Sequence, residues 1–144
     1  MRVLLDTSVL LAGMIEGHGH HRAALPWLQR VKSQELIGVV AAHSLAELYA
    51  ILTAPPLRVR ISPVAAWELI QENLLEDFEA VALSETEYYT ALRALSLSGG
   101  VGDAVSAALI ARVAAKAEVD CLVTLHPQDF QRVWPQGAAK VREP

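Results

Sequence analysis

Val3-Leu4-Leu5-Asp6-Thr7-Ser8 opens this chain with an apolar run that ends on a carboxylate and two hydroxyls. The apolar run predicts a short buried strand over residues 2–5. The polar triplet that follows has residue types favoured at helix starts and predicts a helix to about Ile15. The alternation continues along the chain. Residues 36–40, 80–83 and 122–124 read as further strands, with 139–141 as a last edge strand. Helical periodicity covers 21–32 and 42–53, the latter stopped by Pro55-Pro56. Ser62-Pro63 starts a helix over 64–75, and Ser84-Glu85-Thr86-Glu87 has the pattern of a capping box for one ending near Leu97. Residues 103–117 and 128–133 complete the helices. Strands separated by helices imply an α/β fold whose mainly parallel sheet, of four to five strands, is covered on both faces. In such sheets ligands bind beyond the carboxyl ends of the strands, where Asp6 and the residues after Thr124 fall.

The 144 residues fit a single domain over 1–144, and 53% hydrophobic content is ample for a core. No apolar run is long enough to span a bilayer, and the N-terminal run is too short for a signal peptide, so a cytoplasmic location is expected. Cys121 is the sole cysteine, in an apolar segment where it reads as a small core residue rather than a nucleophile. Net charge is −4, from 12 Lys and Arg against 16 Asp and Glu. That balance argues against binding nucleic acid through the whole surface. Any such contact must be local, metal-mediated or shared between chains.

Three carboxylates stand out against this apolar background. Asp6 ends the first strand, Glu47 interrupts the stretch from Leu45 to Leu52, and Asp103 follows Gly99-Gly100-Val101-Gly102. Asp6 and Asp103 also fit simple helix caps. Glu47 is harder to explain, because its neighbours three and four residues away are His43, Ser44, Ala50 and Ile51. No Lys or Arg lies near Glu47 or Asp103, or just after Asp6. A divalent cation would compensate all three, and oxygen donors of this kind suit Mg²⁺ or Mn²⁺.

Asp6-Thr7-Ser8, Ala46-Glu47-Leu48, Gly99-Gly100-Val101-Gly102-Asp103-Ala104 and residues 122–130, Leu-Val-Thr-Leu-His-Pro-Gln-Asp-Phe, together resemble a PIN domain. The chain is similar in particular to the toxin ribonucleases of VapBC-type toxin–antitoxin pairs. The resemblance extends over nearly the whole chain, including His20-His21-Arg22-Ala23 and Pro55-Pro56-Leu57-Arg58. It implies a three-layer α/β/α fold, a divalent-metal site and endonucleolytic cleavage of RNA. Asp6, Glu47 and Asp103 carry over as metal ligands and catalytic residues, with Thr7, Ser8 and Thr124 as supporting hydroxyls. The family often has Asp or Asn two residues after that threonine, where this chain has His126; Asp129 lies three residues further on. Either residue is a candidate for the fourth position, and Asp129 also fits a cap or solvated residue of the last short helix. The resemblance further implies a cognate antitoxin and a homodimer. The alternative is a PIN-like binding or regulatory module acting by partner sequestration. A phosphatase of another α/β family is disfavoured, because Asp6 is followed by Thr7-Ser8 instead of the Asp-x-Asp pattern.

Arg58 and Arg60 form the best local basic pair and are candidates for RNA binding, although exposed loop arginines are commonly only solvated. His18, His20 and His21 lack the cysteines or second histidine segment of a transition-metal site. They read as a loop and helix start with a contact to RNA phosphate that protonation near pH 6.5 would strengthen. Trp27, Trp67 and Trp134 are dispersed and read as core or interface residues. Leu10, Leu11, Met14 and Ile15, with Leu45, Leu48 and Leu52, exceed the obvious needs of a small sheet and suggest a partner surface.

Overall fold

The computed structural model describes residues 1–54 and 61–144. Among these, five strands form one all-parallel sheet: β1 (Arg2–Leu5), β2 (Ile37–Ala41), β3 (Phe78–Val81), β4 (Cys121–Val123) and β5 (Val141–Arg142). Their spatial order is β3-β2-β1-β4-β5. The chain builds outward from β1 to β3, then crosses back to place β4 on the other side of β1. That reversal makes the β1–β4 edge the switch point where an α/β sheet opens a crevice. The helices are α1 (Thr7–Met14), α2 (His21–Lys32), α3 (Ala42–Thr53), α4 (Pro63–Ile70), α5 (Glu85–Leu97), α6 (Ala104–Lys116) and α7 (Pro127–Val133).

Alternation along the strands feeds two cores. Val3, Leu5, Val40, Cys121 and Val123 pack with residues of α1 to α4 on one face. Leu4, Val39, Ala41 and Leu122 pack with α6, Phe130 and Val141 on the other. The apolar runs therefore do not alternate with polar residues, as expected for strands buried on both faces. Cys121 is fully buried, and desolvation pushes its thiol upward, in keeping with a core role.

Several boundaries differ from the sequence reading. The strand expected over 80–83 lies at Phe78–Val81, because pairing of Gly38 with Phe78 sets the register. Glu79 on that edge strand faces out and is held by Arg2 Nη2 at 2.9 Å. The strand expected over 36–40 starts one residue later, and the final strand is Val141–Arg142 after a 3-10 turn, Pro135–Lys140. The helix expected over 64–75 is α-helical only to Ile70 and ends in a π-turn, Gln71–Leu75. There the Asn73 side chain donates to the Leu69 carbonyl at 2.7 Å, supplying a side-chain donor that competes with the regular ladder.

The leucines singled out in the sequence are largely drawn into the core. Leu10, Leu48 and Leu52 are buried, and Leu11, Met14, Ile15 and Leu45 pack against the same core. The two-sided sheet consumes them. Leu45 also lines a cavity of about 350 Å³ between α3, α4 and β3, which the exposed Tyr49, Trp67 and Leu75 border. Trp27 and Trp134 lean on the two cores as expected. Arg58 and Arg60 lie outside the described residues. No described helix is long and apolar enough to cross a membrane.

Gly38 marks the tightest contact between sheet and helix layer. A methyl group there would approach Val31 Cγ1 to 2.5 Å and Phe78 Cδ1 to 2.7 Å. Neither neighbour is a flexible chain end, so Gly38→Ala is expected to cost about 1–3 kcal/mol by overpacking. Gly17, with nothing within 4 Å of its added methyl group, is the control. Thermal melts in which the two alanine variants lose equal stability would contradict this packing.

A candidate active site at the ends of β1 and β4

Parallel pairing of Leu5 with Val123 brings the next residues of both strands, Asp6 and Thr124, side by side. The Asp6 amide donates to the Val123 carbonyl at 3.0 Å and continues the ladder one step beyond β1. The Asp6 side chain stands at the N-cap of α1 but makes no capping bond. Thr124 Oγ1 at 2.8 Å and Ser8 Oγ at 2.7 Å both donate to its Oδ2 instead. Those hydroxyls in turn accept from the backbone amides of His126 and Leu125, at 3.0 and 3.1 Å. The loop after β4 is thereby tied to the first acid.

Asp6 is only 5% exposed. Burial pushes its carboxyl above the ordinary aspartate range, and the negative charge of Glu47 adds to the rise. The donors from Ser8, Thr124 and the Thr7 backbone oppose it without cancelling it. The second oxygen, Oδ1, has no side-chain donor among the described residues.

Glu47 reaches the same place from α3, which follows β2 directly. Thr7 Oγ1 donates to its Oε1 at 2.9 Å, and Ser106 Oγ donates to its Oε2 at 2.7 Å. Thr7 has one hydroxyl hydrogen, so the fully buried Ser44, 2.9 Å away, donates to Thr7 rather than the reverse. His43 Nε2 stands 3.4 Å from Oε1. Ser44 and Ser106 were not singled out in the sequence. The signal for Ser106 was present, since it is a polar residue in the apolar stretch Ala104-Val105-Ser106-Ala107-Ala108, three residues past Asp103.

Asp103 is exposed at the start of α6 and makes no side-chain cap bond either. Gly102 before it has φ +56°, a left-handed turn that suits glycine and delivers the chain into the helix. The helix-cap reading therefore explains neither aspartate.

One cleft of about 790 Å³ is lined by Asp6, Thr7, Ser8, Glu47, Asp103 and Ser106. His18 and His20 line it from the α1–α2 loop, and His126 and Asp129 line it from the start of α7. Both candidates for the fourth position thus line the same cleft as the three acids. The carboxylates share this cleft without closing into a ready cage: no three His, Cys, Asp or Glu side chains among the described residues are gathered as a metal-ligand group. An open, oxygen-rich set with one buried carboxylate suits ions that bind few carboxylates and keep their waters, such as Mg²⁺ or Mn²⁺. His18 differs from expectation. Burial, followed by the charges of His20 and His21, lowers its pKa, so neutral imidazole is favoured there.

Comparison with known proteins agrees with this architecture. A profile of the PIN domain family matches residues 3–133. Ribonuclease VapC27 of Mycobacterium tuberculosis is 28% identical over 112 residues, covering 78% of this chain and 76% of that protein. The fold superposes on VapBC2 from Rickettsia felis bound to a DNA fragment from their promoter, with TM-score 0.66, 17% identity, and coverage of 99% and 98% of the two chains. It also superposes on Mycobacterium tuberculosis VapC20, a sarcin-ricin loop cleaving toxin, with TM-score 0.64, 17% identity, and coverage of 83% and 86%. With a family match spanning most of its length, and Asp6, Glu47 and Asp103 lining one cleft beside the β1–β4 switch point, the chain belongs to the PIN domain family.

Proposed function

We propose that this chain is a Mg²⁺- or Mn²⁺-dependent endoribonuclease, the toxin of a VapBC-type toxin–antitoxin pair, which hydrolyses RNA phosphodiester bonds with water. The observation that carries this reading is the meeting of Asp6, Glu47 and Asp103 in one cleft at the sheet's carboxyl edge. Family membership and similarity to a ribonuclease support it. Asp6, Glu47 and Asp103 would hold the ion, with Asp129 or His126 as a further ligand. Bound there, a divalent ion supplies Lewis acidity and lowers the pKa of coordinated water.

The chain's own residues do the positioning. Ser8 and Thr124 fix one oxygen of Asp6 and leave the other without a side-chain donor among the described residues. Thr7 and Ser106 grip both oxygens of Glu47, so its carboxylate is oriented before any ligand arrives. Arg58 and Arg60 are assigned to RNA binding on sequence grounds. A cognate antitoxin and a second copy of the chain are the proposed protein partners, by kinship with the VapBC toxins.

The deciding experiment is incubation of RNA with purified protein in Mg²⁺, Mn²⁺ or EDTA, beside Asp103→Asn. Metal-dependent fragments with 5′-phosphate ends, absent from the variant, are expected. A folded, partner-free wild type that leaves RNA intact would instead favour a binding module acting by sequestration.

Asp6 gives a test independent of activity. Its carboxyl pKa is raised on folding, so the folded state binds more protons than the unfolded one. The stabilising contribution is full below the unfolded pKa and is lost as pH rises through the folded one. At pH 7 in EDTA, Asp6→Asn should therefore melt no lower than wild type, since the amide oxygen can still accept from Ser8 and Thr124. Added Mn²⁺ should raise the wild-type melting temperature more than that of the variant. Equal shifts would remove Asp6 from the metal site.

Ser106→Ala should cut turnover by roughly tenfold, the scale of one hydrogen bond to a charged group, in a protein that still folds. Ser106→Thr, which retains the hydroxyl, should recover most of it. Kinetics that are identical in all three proteins would make the Ser106 contact incidental.

A further inference from the structure

The loop between α1 and α2, Gly17-His18-Gly19-His20, is pinned in place. The His18 amide donates to the Ile15 carbonyl at 2.9 Å, and the His21 amide donates to the His18 carbonyl at 3.0 Å. The three histidines divide their work. His21 Nδ1 lies 2.9 Å from the Ala12 carbonyl, which can only accept, so this ring is a donor anchoring α2 to α1. His18 Nδ1 accepts from the His20 amide at 3.1 Å, which leaves its ring hydrogen on Nε2. His18 and His20 then line the cleft beside the acids, with their ring centroids 5.9 Å apart.

That cleft presents an uneven set of donors. Four carboxylates line it, those of Asp6, Glu47, Asp103 and Asp129, and no Lys or Arg does among the described residues. The hydroxyl hydrogens of Thr7 and Ser106 are committed to Glu47, and that of Ser8 to Asp6. Among the described side chains of the lining, the histidines hold the N–H donors that are left, with His18 and His20 on the α1–α2 side and His126 on the other. At about 790 Å³ the cleft also has far more room than a hydrated ion needs, given the ~30 Å³ that one water occupies.

We infer that His18 and His20 form a phosphate subsite that holds the RNA strand beside the cleaved bond, with His18 Nε2–H as its fixed donor. The donor is preset because the His20 amide orients the ring and selects the tautomer. A neutral donor suits this wall, since it grips a phosphate oxygen without becoming a competing counter-charge for the carboxylates that line the same cleft. The inference rests on the nuclease reading for its substrate class, while the contact itself is measurable without cleavage.

The experiment pairs binding with kinetics. Binding of a short labelled RNA is followed by anisotropy in EDTA, where no cleavage is expected, for wild type, His18→Phe, His18→Gln and His20→Phe. His18→Phe keeps a flat ring and removes the donor, so RNA binding should weaken about tenfold. His18→Gln carries an amide N–H at a similar reach and should recover most of that loss. His20 is exposed, so His20→Phe provides a second, independent variant whose binding should also weaken. In Mg²⁺ the cost should fall on KM, with kcat at saturating RNA changed by no more than a factor of about two. If wild type cleaves RNA and all the variants bind as tightly as it does, the subsite is overturned while the nuclease stands. If RNA binds through His18 but is never cut in Mg²⁺ or Mn²⁺, the subsite stands and the nuclease reading falls. A loss of kcat with unchanged binding would also overturn the subsite.

Discussion

The pairing of Leu5 with Val123 is the constraint on which the rest of the molecule turns. Period-two alternation makes register an all-or-none property, so a one-residue slip would carry Leu4 and Leu122 to the wrong core and part Asp6 from Thr124. The same pairing that buries two apolar layers therefore also assembles the first acid of the cleft. Folding and site construction are a single event here, because Asp6 is the next residue after β1 and Thr124 the next after β4.

The site is held mainly by hydroxyls rather than by opposite charges. Asp6 receives two hydroxyl donors and Glu47 another two, and among the described residues His43, 3.4 Å from Glu47, is the one basic group beside either carboxylate. Hydroxyls orient a carboxylate while leaving most of its charge uncompensated, and for buried Asp6 this shows as a carboxyl that resists ionisation. A Lys or Arg at these positions would stabilise the empty protein and would compete with a cation for the same oxygens. On the proposed metal-binding reading, a bound cation would offset the desolvation cost that Asp6 carries.

Much of this was readable before any coordinates. The strand-and-helix rhythm predicted a parallel sheet with Asp6 at one strand's carboxyl end, and Glu47 stood out because, unlike Asp6 and Asp103, it has no reading as a helix cap. The capping box at Ser84 was legible because its four residues act on one another locally, and the side-chain and backbone bonds it predicts are both formed. The register of β3 was not legible, since it is set by pairing with Gly38 forty residues away. Nor was the fate of the leucines in α1 and α3, which depends on how those helices pack against the sheet and one another. Ser44 and Ser106 escaped because serine is common in helices, and only the fold shows which serines meet a carboxylate. The opposite case is His18, where the sequence suggested a phosphate contact strengthened by protonation, and partial burial beside two other histidines lowers the ring's pKa.

The two margins of the sheet have a consequence of their own. An exposed strand edge is a template on which other chains can pair, and long flat apolar edges invite aggregation. Here β5 offers only two residues, Val141 and Arg142, too few for a stable added ladder. The opposite margin, β3, turns Glu79 outward, and Arg2 reaches across from β1 to hold it. One margin is short and the other charged, so neither offers a long apolar template for another chain to pair on.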